Sequence, residues 1–222
     1  MPHDIAFLHT SPVHMATFDQ LMRELAPDLR VAHVVREDLL ADAQTEGADS
    51  PPLVARIRQA MGDAGASGAS VVVCTCSTIG GLAERTPTDG RFRAARIDRA
   101  MADRAAVLGP RVLVVAALES TVGPTTELIR ESARSLAATL EIRTLVVEDA
   151  WPHLQRGDRP AYLQAVVQAV VQAVSSAAGS TDVVVLAQAS MAPAAARLGG
   201  LGVDVLSSPA LGVQAIAAFF AD

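Results

Sequence analysis

The sequence predicts an α/β protein of two pseudo-symmetric Rossmann-like lobes, each with a mainly parallel sheet, and an interlobe cleft. Three observations carry that expectation. Strand-like and helix-like segments alternate along all 222 residues. The strand candidates are continuous aliphatic runs, which suit parallel strands covered on both faces. The same order of elements also occurs twice. Ser70 to Ile79 (SVVVCTCSTI) matches Asp182 to Met191 (DVVVLAQASM) 112 residues further on, and Asp4 to Leu8 matches Arg111 to Val115 at a distance of 107.

In chain order, Ile5 to Leu8 is the first strand, running into His9-Thr10-Ser11-Pro12. Phe18, Leu21, Met22 and Leu25 then recur at helical spacing and stop before Pro27. Val31 to Val35 is the second strand, followed by a polar loop containing Gly47, Ser50, Pro51 and Pro52. A helix from Leu53 to about Ala64 places Val54, Ile57 and Met61 on one stripe, and Val71 to Cys74 is the third strand. An arginine- and alanine-rich helix from Arg91 to Ala106 makes the first crossover. The second half repeats the order with a strand at Val112 to Ala117 and a helix from Pro124 to about Leu140. A strand at Arg143 to Val147, a helix from Tyr162 to about Ser176 and a strand at Val183 to Leu186 follow. Leu206 to Pro209 leads into an apolar helix from Leu211 to Phe220 that returns to the first lobe. The expected lobes are residues 1–95 completed by 206–222, and residues 96–205.

Composition removes several function classes. Half the residues are hydrophobic and the mean hydropathy is +0.32, which excludes a disordered chain. Aromatics are only 3%, so the core is aliphatic. The 18 basic residues, all arginine, face 24 acidic ones, and a net charge of -6 lacks the footprint of a nucleic-acid binder. No apolar run approaches the roughly 20 residues of a membrane span. The start, Met1-Pro2-His3-Asp4, has no basic leader region. Cys74 and Cys76, one residue apart, make no disulfide framework. The expectation is a cytoplasmic protein without a nucleic-acid or membrane partner. Gly80-Gly81 lacks the Gly-x-Gly-x-x-Gly spacing, and a chain without lysine has no phosphate-loop lysine. A catalyst without cofactor and a binding protein therefore stand as the two classes.

Cys76 is the sharpest candidate for chemistry. It follows a buried strand and precedes Ser77-Thr78-Ile79-Gly80-Gly81, which reads as a short polar, glycine-containing turn. Ligands of open α/β sheets bind beyond the carboxyl ends of the strands, where N–H groups and hydroxyls hold anions and favour a thiolate. Cys74, inside the apolar run, reads as a core cysteine. Ser11 and Thr121, after the first strand of each half, are candidates for a carboxylate oxygen. Ser77, Thr78 and Ser190 flank the two central positions, either to bind substrate or to satisfy local backbone. Gln188 is a candidate donor, and His9 a possible acid or base. Four of the five histidines fall within the first 33 residues, yet no carboxylate spacing completes a metal motif. Arg85, Arg91, Arg93, Arg96, Arg99 and Arg104, interleaved with acids, read as a solvated helix face.

Cys76-Ser77-Thr78 after a valine strand resembles the first cysteine motif of the aspartate/glutamate/hydantoin racemase superfamily. Leu186-Ala187-Gln188-Ala189-Ser190-Met191 resembles the second motif of its hydantoin racemase branch, Leu-Gly-Cys-Ala-Gly-Met. Ala116 to Thr121 with Pro124-Thr125 resembles the loop after the first strand of the second lobe. The resemblance covers nearly the whole chain. It implies a small carboxylate held between the lobes, proton exchange by two cysteines at the carbon alpha to a carboxylate or carbonyl, no cofactor, and a homo-oligomer, most simply a dimer. This chain departs from the pattern, because the second cysteine position is Gln188. Glutamine neither takes nor gives a proton at neutral pH. A single thiol suffices for one-faced protonation or covalent addition, as in the arylmalonate decarboxylase and maleate isomerase branches. The resemblance thus implies an isomerase or decarboxylase acting through Cys76, and the alternative is a carboxylate-binding protein with a degenerate site.

Overall fold

The aliphatic runs Ile5–Leu8, Val71–Cys74, Val112–Ala116 and Val183–Leu186 each lie in a parallel strand. The structure, a computed structural model, describes residues 3–176 and 181–221. Met1, Pro2 and Asp222 of the expected first lobe, and residues 177–180 of the expected second, lie outside the described residues. The chain divides into two compact units, one of Met1–Asp98 with Pro209–Asp222 and one of Arg99–Ser208.

The first unit runs β1 (Ile5–His9), α1 (Met15–Leu25), β2 (Val31–Val35), α2 (Glu37–Glu46), α3 (Pro51–Gly65), β3 (Val71–Cys74), α4 (Ser77–Glu84) and β4 (Arg93–Arg96). Its sheet is wholly parallel in the order β2-β1-β3-β4. Alternation along the strands sends Ala6, Leu8, Val72 and Cys74 against α2, α3 and α4, through Leu39, Ile57, Met61 and Ile79. Ile5, Phe7, Val71 and Val73 face the other way, onto Phe18 and Met22 of α1. Pro51 and Pro52 occupy the first turn of α3, where a missing N–H costs nothing.

The second unit runs α5 (Arg99–Leu108), β5 (Arg111–Ala116), α6 (Glu119–Ser135), β6 (Glu141–Val146), α7 (Ala150–Gln155), α8 (Arg159–Ser176), β7 (Val183–Leu186), α9 (Ala192–Ala195) and β8 (Asp204–Ser207). Its sheet, also parallel, has the order β6-β5-β7-β8. Leu113, Val115, Val184 and Leu186 pack on Tyr162, Val166 and Val170 of α8, while α5 and α6 pack against each other and against β7 and β5. The last helix, α10 (Ser208–Ala218), brings Val213 onto the α1 face of the first sheet.

The registers bear out the duplication. Ile5 pairs with Val71 in the first sheet, and Val112 pairs with Val183 in the second. These are the residues that the sequence separations of 107 and 112 make equivalent.

Five expectations are corrected. The polar loop after β2 begins with a helix, α2, which buries Leu39 and Ala43. Arg91 to Ala106 is not one helix: Arg93–Arg96 pairs with Val71–Cys74 as an edge strand, and only then does α5 begin. Helix propensity there yields to tertiary pairing. The helix expected from Pro124 starts at Glu119 with Pro124 inside it, and it stops at Ser135 because Ala137 turns into the left-handed region at φ 52. Leu206 and Ser207 belong to strand β8, and the helix after them starts at Ser208. Finally, the glycine-containing turn after Cys76 is helix α4.

Candidate active site

The four inner strands end alike. After β1, β3, β5 and β7 one residue intervenes before an extended residue that forms the N-cap of the following turn or helix. These are Ser11 (φ -158, ψ 136), Cys76 (φ -97, ψ 117), Leu118 (φ -130, ψ 130) and Gln188 (φ -114, ψ 138). None of the four makes a side-chain capping bond. An N-cap lies beside the N–H groups and positive dipole end of its helix, where an anion is favoured. In the first unit Ser11 and Cys76 terminate neighbouring strands, and both are half-buried. Cys76 is the partly exposed thiol of the pair.

Cys74 is fully buried, and burial, reinforced by the neighbouring Cys76, pushes its thiol up and keeps it protonated. Its Sγ donates to the Cys76 carbonyl at 3.6 Å. Ser77 and Thr78 form the first turn of α4 and are buried. A buried ion pair holds that helix. Arg96 donates from Nε to Asp98 Oδ1 at 2.6 Å and from Nη2 to Oδ2 at 2.9 Å, and Nη2 also reaches the Ser77 carbonyl at 3.4 Å. With side chains 4% and 1% exposed, this pair corrects the expectation of a solvated arginine face at Arg96. The sequence singled out Gly80 and Gly81 as turn formers, but their role is clearance. A Cβ at Gly80 would lie 3.1 Å from Arg96 Nε, and one at Gly81 3.2 Å from Nη1.

In the second unit the position equivalent to Cys76 is fixed differently. The Ala117 N–H donates to Gln188 Oε1 at 2.5 Å, so the amide presents its NH2 group for other contacts. Ser190 is buried and shares a 2.7 Å hydrogen bond with the Tyr162 hydroxyl, whose pKa burial pushes up to about 12. Nothing in the sequence pattern pointed to Tyr162 as its partner. Thr121 is buried in the first turn of α6 rather than in a loop.

His9 is the last residue of β1, fully buried and not alone. Its Nδ1 meets Thr75 Oγ1 at 2.8 Å, and its Nε2 meets His33 Nδ1 at 2.8 Å. Burial first, then the fields of His33 and His14, lower its pKa to about 3, so it is neutral. The sequence flagged the histidine cluster but not its contacts, which follow from the pairing of Phe7 with His33. Among the described residues no group of three or more His, Cys, Asp or Glu is arranged to hold a metal ion, and no helix is long and apolar enough to cross a membrane.

No family model and no curated protein matches the chain. Solved structures do. Glutamate racemase from Bacillus anthracis superposes with a TM-score of 0.70 at 12% identity, covering 99% of this chain and 82% of that one. Allantoin racemase from Pseudomonas fluorescens gives 0.63 at 17% identity, covering 98% and 90%. A two-residue variant of arylmalonate decarboxylase in liganded form gives 0.60 at 18%, covering 98% and 92%. At these identities the likeness establishes the fold. The sequence resemblance is borne out at that level: this chain has the fold of the aspartate/glutamate/hydantoin racemase superfamily.

Proposed function

We propose that the chain is a cofactor-independent enzyme acting on a small carboxylate by carbon-acid chemistry at Cys76, as an isomerase or decarboxylase of the racemase type. The observation that carries this reading is the asymmetry of two equivalent N-caps. Cys76 offers a partly exposed thiol at the start of α4, whereas Gln188 offers an amide whose oxygen is already bonded to Ala117. Racemases and a decarboxylase share the fold, and the decarboxylase's name describes loss of one carboxylate from a malonate.

One thiol is sufficient for a one-faced reaction. A geminal dicarboxylate loses CO2, the electron pair of the broken C–C bond forms an enediolate, and the Cys76 S–H protonates the carbon; water then restores the thiol. With an acidic α C–H instead, the thiolate removes the proton and returns one to the same face, which exchanges the hydrogen without inverting the carbon. Isomerisation takes addition of the thiolate to a C=C bond, whose π pair moves to the neighbouring carbon as an enediolate. Rotation about the resulting single bond follows, and that pair returns as the C–S bond breaks and the thiolate leaves. In the first unit, N–H groups at the N-cap of α4 and the hydroxyl of Ser11 are the proposed donors to the carboxylate and the developing charge; the NH2 of Gln188 is the equivalent candidate donor of the second unit. Such donors contribute roughly 3 kcal/mol each. Ser77 and Thr78 are proposed to support the strand end of the first unit from the start of α4, Thr121 and Ser190 to support the equivalent strand ends of the second unit, and His9 to act through Thr75 rather than on the substrate. The same reading carries a cytoplasmic homodimer.

The test uses substrates with an acidic α C–H or a geminal carboxylate in deuterated water, with the wild type, Cys76→Ala and Cys74→Ala. Deuterium exchange, decarboxylation or isomerisation is expected to vanish in C76A and largely survive in C74A. Full activity in C76A overturns the mechanism. Two observations favour a second reading, a binding protein: Gln188 is no acid or base, and both His9 nitrogens are engaged. Saturable binding of carboxylates without exchange or product selects it.

A further inference from the structure

The chemistry proposed at Cys76 leaves a line of polar side chains in the first unit unused. Alternation turns His9 of β1, His33 of β2 and Thr75 beyond β3 to the α1 face of the sheet, where Ile5, Phe7, Val71 and Val73 also point. The rings of His9 and His33 stack at 5.1 Å, in contact with Phe7 and Phe18. From α1, Asp19 Oδ1 lies 3.0 Å from His33 Nε2. The line thus runs from Asp19, with 42% of its side chain exposed, through His33 at 10%, to the fully buried His9 and to Thr75. Thr75 Oγ1 also lies 3.3 Å from the Leu8 carbonyl, which already accepts the Thr75 N–H at 3.0 Å.

Donor and acceptor counting leaves this line two proton arrangements. A carboxylate only accepts, so His33 Nε2 carries a proton in both. With His33 neutral, its Nδ1 accepts from His9 Nε2–H, and His9 Nδ1 accepts from the Thr75 hydroxyl. With His33 protonated, its Nδ1–H donates to His9 Nε2. His9 then carries its one proton on Nδ1 and donates to Thr75, whose hydroxyl is released to the Leu8 carbonyl. The second state holds one more proton than the first, on His33, and His9 and Thr75 each keep their number.

We propose that Asp19, His33, His9 and Thr75 form a proton-switched relay in which protonation of His33 reverses the tautomer of His9, turns the Thr75 hydroxyl towards Leu8 and changes the reactivity of Cys76. The depressed pKa of His9, about 3, keeps it neutral while its neighbour changes charge. The other charged groups around the line are accounted for. His14, before α1, lies 6.4 Å from His9 ring to ring, and Arg36 and Asp38 at the start of α2 pair with each other. Arg30 pairs with Asp4, and Arg96 with Asp98. The link to the thiol is the main chain: Thr75 joins Cys74 to Cys76, and the bonds it makes to Leu8 fix the strand exit from which the Cys76 N-cap leaves. This inference concerns thiol reactivity and holds for any substrate.

Nitrogen-15 histidine labelling of the full chain reads the tautomers directly by two-bond proton–nitrogen correlations between about pH 5 and 8, the range in which histidines exchange protons. His9 is expected to pass from Nε2–H to Nδ1–H over the interval in which His33 gains its second proton. Alkylation of Cys76 by iodoacetamide, in a C74A background, is expected to show a step at the same pH. One hydrogen bond sets its size at about two- to tenfold. Asp19→Asn should move both transitions together to lower pH. Thr75→Val should abolish the alkylation step while His33 still titrates, and Thr75→Ser should restore it. A His9 tautomer that stays unchanged as His33 protonates, or a step that survives in T75V, overturns the proposal.

Discussion

His9 sits between Phe7, Phe18 and two other histidines, and its burial, with the fields of His33 and His14, lowers its pKa from 6.5 to about 3. The unfolded chain binds a proton at this residue below about pH 6.5, whereas the folded chain refuses it until about pH 3. Its contribution to stability is therefore complete above pH 6.5, declines as pH falls through that window, and is gone near pH 3. One pKa unit corresponds to about 1.4 kcal/mol, so the effect amounts to several kcal/mol at most. Thermal melts at pH 7 and 5 are expected to show His9→Gln less stable at pH 7, by about 1–3 kcal/mol for the broken buried bonds, yet less sensitive to acid. Equal loss in both proteins between the two pH values removes His9 as the cause. Cys76 was legible in the sequence because it ends an apolar run. The partners of His9 were not, because the pairing of β1 with β2 that brings His33 beside it joins residues far apart in the chain.

Helix α4 carries the candidate thiol, and its position depends on a charge buried beneath it. Arg96 and Asp98 are almost wholly out of water, so removing one partner strands the other. Arg96→Met is expected to cost about 3–5 kcal/mol in urea denaturation. Gly81→Ala tests the packing alone. Its Cβ would press on Arg96 Nη1 at 3.2 Å, and overpacking of this kind costs about 1–3 kcal/mol. Gly123→Ala in α6 is the control, because nothing lies within 4 Å of its Cβ and alanine favours a helix by about 0.5–1 kcal/mol. Equal effects of the two glycine changes would show that Arg96 does not hold the helix. The same elements mark where sequence reading stopped. Val71–Cys74 and Val183–Leu186 are buried on both faces and appear as unbroken apolar runs. The edge strands β4 and β8 are four residues each, half-exposed and partly polar, and β4 was absorbed into a helical pattern. Their partners, rather than their own residues, make them strands.

Over the whole molecule the duplication is not a simple tandem, because the chain finishes the first unit last. Helix α10 lies in the same core as Ile5, Phe7, Val71 and Val73, through Val213, Ile216 and Ala217. Phe219 adds a surface contact, with the Arg93 guanidinium 4.9 Å above its ring. The approach is close: a Cβ at Gly212 would fall 2.2 Å from the Ile97 carbonyl oxygen, which belongs to backbone and has nowhere to go. The internal match ran through β1, β3, β5 and β7, so the repeat itself gave no place to this helix; its apolar composition did. The first sheet should therefore depend on the last fourteen residues, and the second should not. Hydrogen exchange of the full chain carrying Gly212→Ala, and of a chain ending at Ser208, is the measurement. Amides of β1 and β3 are expected to lose protection, modestly in G212A and heavily in the truncated chain, because the α1 face of their sheet loses the part of its cover that α10 supplies. Amides of β5 and β7, covered by α5, α6 and α8, should keep theirs. Uniform loss across both sheets would mean that the two units unfold as one, and unchanged protection in β1 and β3 would mean that α10 merely rests on a core already complete.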